Sequence, residues 1–202
     1  MRLIIGITLV LMLSSLALAA PETRQIGPYT VSFNMNTSMN YQIQTPNEAA
    51  YPFATIYPIV IVTDNMTGAS ISITQYNNLT DSTLQVSEEI TALRMALRGI
   101  NTTAAEEQVI DGRNGFLISG VPFSMTGVTS GLQFYQAQYW LDSNNCACGP
   151  VSVGMTLVDI TSTYPADVTQ GILSSIHVAA AAGQMPPSTT GTTPAQAPQT
   201  SV

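Results

Sequence analysis

In several stretches of this chain apolar side chains recur at every second residue, the period of a β-strand with one buried face. Tyr29, Val31 and Phe33 alternate with Thr30, Ser32 and Asn34, and Met39, Tyr41 and Ile43 continue the pattern. The run ATIYPIVIVTD (54–64) is nearly continuous and rich in β-branched residues, as a central strand is, with Pro58 predicting a bulge or an edge in its first half. NMTG then marks a turn, and Ile71 and Ile73 set against Ser70, Ser72 and Thr74 complete a hairpin. Further strands are expected at 106–110 and 116–121 around the turn residues DGRNG. Two long ones follow, at 132–142 and 151–161, joined by SNNCACGP, the second alternating through Val151, Val153, Met155 and Leu157.

The period changes once to that of a long helix. Between 82 and 98, Val86, Ile90, Leu93, Leu97 and Ile100 recur every three or four residues and form one apolar stripe, predicted to pack on the sheet. Asp81 or Ser82 suits the cap, with Ser87 a later alternative. Glu88 and Glu89 lie toward the start, Arg94 and Arg98 near the end, and Gly99 at the usual stop position. A shorter helix is expected at 165–175, with Val168, Ile172 and Ile176 on one face and Pro165 in its first turn.

Strands, helix, strands, helix is the order of an α+β domain: an antiparallel sheet with one long amphipathic helix and a short C-terminal helix packed against it. The domain is placed at 28–178, after a lead segment at 20–27. Residues 179–202 are rich in Pro, Thr and Ser and cannot build a core. Four early strands, a helix ending near Gly99, a DG turn, a strand pair containing YWLD and a final helix ending LSSIHV together resemble the PsbP-like α/β sandwich of photosystem II extrinsic subunits and secreted microbial proteins, over residues 29–178. That resemblance implies the sandwich fold and a secreted accessory or ligand-binding role. The early tryptophan of many such domains is missing, Trp140 being the only one.

Residues 1–19 read as an export signal: Arg2, an apolar core over 3–18, and the small-residue pattern Ala17-x-Ala19, with cleavage expected after Ala19. The alternative, an uncleaved anchor, is served poorly by so short and weakly flanked a core. An extracellular, cell-surface or envelope location follows, with no membrane span after cleavage.

Charged residues are only 8% of the 202, against roughly 25% in an average soluble protein. There is no lysine, and the arginines are Arg2, Arg24, Arg94, Arg98 and Arg113. A net charge of −7 argues against nucleic acid and anionic lipid as partners. Because sheet edges are commonly guarded by charge, the deficit also predicts association with further copies of the chain or with other envelope proteins. The composition resembles that of sheaths and surface layers of methanogenic archaea. The first expectation is therefore a non-enzymatic structural protein that assembles through strand edges, chiefly the hairpin at 132–161. The alternative is a monomeric PsbP-like accessory or binding module.

Cys146 and Cys148 are the only cysteines. A bridge between them closes a very small ring, a bridge between subunits avoids that, and a reduced pair is the third option. No cofactor or metal is expected: two thiols are too few ligands, and His177, the sole histidine, is remote in sequence. The pairs Glu88/Glu89 and Glu106/Glu107 suit a helix start and a strand, no GxSxG elbow accompanies the serines, and Asp64, Asn65 and Thr67 suit a turn. Asn-x-Ser/Thr sites at Asn36, Asn65, Asn78 and Asn101 are glycosylation candidates, each expected at a turn or element boundary.

Overall fold

The computed structural model describes residues 21–64, 66–79, 84–123 and 131–180. The signal segment with Ala19, the site at Asn65, the caps at Asp81 and Ser82 and the tail from 181 lie outside the described residues. The elements are β1 (Glu22–Ile26), β2 (Tyr29–Phe33), β3 (Gln42–Gln44), β4 (Ala49–Ala50), β5 (Ala54–Thr63), β6 (Met66–Tyr76), β7 (Gln85–Val86), α1 (Glu88–Leu97), β8 (Ile100–Ile110), β9 (Arg113–Pro122), β10 (Phe134–Trp140), β11 (Gly149–Pro150), β12 (Thr156–Ser162), α2 (Ala166–Ser175) and β13 (His177–Ala180). This is a sheet-dominated α+β fold, and all strand pairs are antiparallel.

The large sheet runs β3-β5-β6-β12-β10-β9-β8, with β4 also on β5, and a small sheet runs β1-β2-β13. Alternation assigns the faces. Ile59, Ile61, Ile71, Ile73, Ala137, Val158 and Ile160 point to one side, where they join Val31 and Phe33 of β2 and Val168 and Ile172 of α2 in one buried cluster. The opposite side buries Tyr76, Met95, Phe116, Ile118, Trp140 and Leu157. The stretch expected to be a lead is thus β1, paired with β2 from Glu22↔Phe33 to Ile26↔Tyr29, and β13 extends to Ala180, two residues past the expected end of the domain. On β5, Pro58 falls between the partners of β4 (Thr55, Ile56) and of β3 (Val60 to Val62), so the outer neighbour is interrupted where proline lacks a donor.

Two expectations are corrected. The helix begins at Glu88, capped by the Ser87 hydroxyl, which accepts from Ile90 N at 3.2 Å. Its buried residues are Thr91 and Met95, while Leu93 is 60% and Leu97 80% exposed. The supposed stripe breaks up because Val86 belongs to β7 and Ile100 opens β8. Gly120 gives the physical reason: a side chain there would collide with Ile100 and crowd Met95, so this bare patch of β9 receives the Met95 face of the helix.

The segment 132–161 is not a protruding hairpin. Its strands pair from Tyr135↔Ser162 to Trp140↔Leu157, but they lie mid-sheet, between β9 and β6. Residues 141–155 fold back instead of forming a tip: β11 pairs with β7, and Ala147 and Val151 are buried with Trp140. Val153 is exposed, so Val151 through Leu157 is not one alternating strand.

Candidate functional site

The outer strands bear on the expected edge pairing. β8, the longest, has a neighbour only in β9 among the described residues. It carries a bulge between Thr102 and Ala104, exposed Glu106 and Glu107, and the exposed glycosylation candidate Asn101, second residue of the strand. β3 and β4 have three and two residues, with Pro46 between them. β1 bears an ion pair, Arg24 Nη2 to Glu22 Oε2 at 3.0 Å. On β13 a side chain meets Val178 N, as described next. Bulges, short strands and charges are devices that keep edges from pairing. Of the other glycosylation candidates, Asn36 and Asn78 are exposed.

Among the described residues Asp111 is the best-connected polar side chain. With Gly112 it forms the two-residue turn between β8 and β9, both at positive φ (53° and 70°), the geometry that DG favours in a tight hairpin. Its carboxylate is 5% exposed and accepts from His177 Nδ1 at 2.8 Å, Val178 N at 3.0 Å and the Tyr139 hydroxyl at 3.3 Å. Burial first, and then the carboxylate beside it, push the Tyr139 hydroxyl far above its ordinary pKa, so it remains a donor. Arg113 Nη1 lies 3.5 Å from Asp111 Oδ2 and donates to the Asp111 carbonyl at 3.0 Å, while Nε donates to the Leu141 carbonyl at 2.6 Å. One turn therefore fixes the C-terminal strand and an arginine together. His177 itself is exposed, and no hydroxyl or thiol is hydrogen-bonded to its ring among the described residues.

Arg113 forms part of the wall of a cleft of about 810 Å³ between the ends of the two sheets. Tyr29, Tyr57 and Thr156 are buried at its floor, and Glu48 and Asp142 are exposed at its mouth. A smaller hollow of about 430 Å³ shares Gly27, Glu48 and Tyr57 with it. The rings of Tyr29 and Tyr57 meet edge to face at 5.5 Å, and Gly27, at φ 51°, leaves room for Tyr57 that any side chain would fill. Burial raises both tyrosine hydroxyls above their ordinary range, with Asp142 adding to the effect on Tyr29 and Glu48 to that on Tyr57.

A second polar cluster lies on the other face, beneath α1. Gln136 Nε2 donates to both Asp159 oxygens at 3.1 and 3.0 Å, Gln138 Nε2 donates to Oδ2 at 3.1 Å, and the Thr91 hydroxyl donates to Gln138 Oε1 at 3.1 Å. Burial raises the Asp159 carboxyl above its ordinary value, and the two glutamines partly offset this. Gln136 Oε1 is buried without a partner.

The cysteines face each other at bonding distance, Cα to Cα 5.3 Å, the arrangement of the local pair. Glu88 and Glu89 occupy the first turn of α1, and Asp64 sits in a turn at φ 50°. Among the described residues no group of three metal-ligating side chains occurs, and no helix is long and apolar enough to cross a membrane.

Sequence reading identified Asp111 only as a turn residue and His177 only as a lone histidine. Their contact spans 66 positions, and no local signal announces it. The Gln136/Gln138 pair was open to notice, because both share a strand face with Phe134 and Trp140. Comparison with known proteins finds no matching family model, no similar curated protein and no similar solved structure.

Proposed function

We propose that this chain is an exported binding or accessory module, acting as a monomer, whose working site is the cleft beside Asp111. The observation that carries this reading is a preorganised arginine: Arg113, held by two main-chain carbonyls and a buried carboxylate, stands in the wall of a cleft within the size range of small-molecule sites. The guarded outer strands favour a monomer over edge-to-edge assembly. The PsbP-like character belongs to this proposal too, supported by a central antiparallel sheet with a helix on either face and by the export signal read from the sequence.

The test is a thermal-shift screen of the full chain against a small-molecule library, repeated on Arg113→Ala. Compounds that stabilise the wild type and not the variant support the reading. An absence of any stabilising compound, or hits indifferent to Arg113, contradicts it.

One observation favours the structural-protein reading: Leu93, Leu97 and Phe123 are all strongly exposed, and Phe123 N donates to Gly99 O at 2.6 Å, which brings Phe123 to the C-terminal end of α1. In that case copies would meet through this apolar patch next to β8, in an envelope layer, sheath or filament. Leu97→Ser would then abolish large assemblies seen by light scattering.

A further inference from the structure

We infer that the ligand of the cleft is an uncharged oligosaccharide, an inference that rests on the cleft being the working site. The cleft's wall holds one cation, Arg113, whose guanidinium already faces the Asp111 carboxylate at 3.5 Å, and its mouth carries two carboxylates, Glu48 and Asp142. A phosphate or polycarboxylate would meet those two carboxylates in a chain of net charge −7. A polyamine would meet the fixed guanidinium of Arg113 in the wall. Neither sign of charge is served.

A neutral polyol is served at every position. Nε and Nη1 of Arg113 are engaged, and no described group accepts from Nη2, so this cleft-lining residue keeps a donor for a ligand. The Gln75 amide adds a donor and an acceptor, the two mouth carboxylates accept from sugar hydroxyls, and Leu141 and Pro28 give apolar surface for the C–H face of a ring. The adjoining hollow, which shares Gly27, Glu48 and Tyr57 with the cleft, makes the site longer than one sugar ring. Since Asp111 fixes Arg113 in advance, the side-chain ordering cost on binding is small there.

The test is an array of neutral oligosaccharides built from glucose, mannose, galactose and N-acetylglucosamine, followed by an NMR titration of the full chain with the strongest binder. Expected are saturable binding and shifts of the Gly27 and Gly154 amides, with affinity at least tenfold weaker in Asp142→Asn and Arg113→Lys and unchanged in Leu93→Ser. Arg113→Lys keeps the charge and leaves the bonds from Asp111 to Val178 and His177 in place, so loss of binding there is not loss of fold. If spermidine or citrate shifts those glycines and no neutral sugar does, the ligand class is wrong while the cleft reading stands. Sugar binding that leaves the two glycines unmoved also overturns the inference. If none of these probes moves the glycines and the library screen finds nothing, both fail.

Discussion

The two faces of the large sheet are made from alternate residues of the same strands, yet they are finished differently. On the face toward the small sheet and α2, Val31, Phe33, Ile59, Ile61, Ile71, Ile73 and Ile172 are all at 0% exposure, and the polar groups sit at the margin, where Asp111 joins two strand ends. On the face toward α1, polar groups occupy the middle: Asp159, Gln136, Gln138 and Thr91 lie between Met95, Ile118 and Trp140. The helix above them leaves Leu93 and Leu97 in water. The first face carries the stability, and its margin holds the preorganised cleft. The second tolerates a half-buried carboxylate whose charged form burial disfavours, at a cost in free energy.

The sharpest way to break this comparison is Ile71→Ala, which should cost about 3–4 kcal/mol in urea denaturation because the methyl groups removed leave a cavity. A loss under about 1 kcal/mol would mean that this face is not the close-packed one. Next in size is Asp111→Ala, expected to cost about 3 kcal/mol by stranding Val178 N–H and the Tyr139 hydroxyl. Hydrogen exchange at Val178 should accelerate with it. Unchanged exchange would show that β13 does not depend on the turn.

Asp159→Asn probes the other face with the opposite sign. A carboxyl whose native pKa lies above its unfolded value contributes stability that is complete below the unfolded value and is lost as pH rises through the native one. The asparagine variant should therefore be more stable than wild type at pH 7, and the difference should shrink as pH falls toward the ordinary carboxylate value, measured as paired urea midpoints. A variant less stable than wild type at neutral pH would show that the glutamine bonds outweigh burial. Smallest are the changes on α1: Ser87→Ala should cost about 1 kcal/mol by removing the cap, and Leu97→Ser should stay within about 0.5 kcal/mol.

What could be read in advance follows the same division. Val31 and Phe33, or Ile71 and Ile73, announce strands because one side is fully buried and the other half-buried, so period two is clean. The DG turn and the α2 face of Val168 and Ile172 were equally plain. The α1 face was not, since Leu93 and Leu97 look like core residues in sequence, and only Gly120, on a strand 25 positions after Met95, selects Met95 instead. Residues 151–155 read as strand because buried Val151 and exposed Val153 share a residue type but not an environment. The cleft was illegible for a topological reason: Gly27, Glu48, Tyr57, Arg113, Asp142 and Ala180 come from separate segments, joined only by sheet order.

The account's central claim, a monomer that works through its cleft and not through its edges, is tested most directly by sedimentation velocity of the full chain from low to high micromolar concentration, with and without reductant. The prediction is one monomeric species throughout, with association appearing only when the β8 guards are removed in a Glu106→Gln, Glu107→Gln variant. Concentration-dependent assemblies of the wild-type chain, dispersed by a proline placed at Ala105 in the free edge, would contradict it.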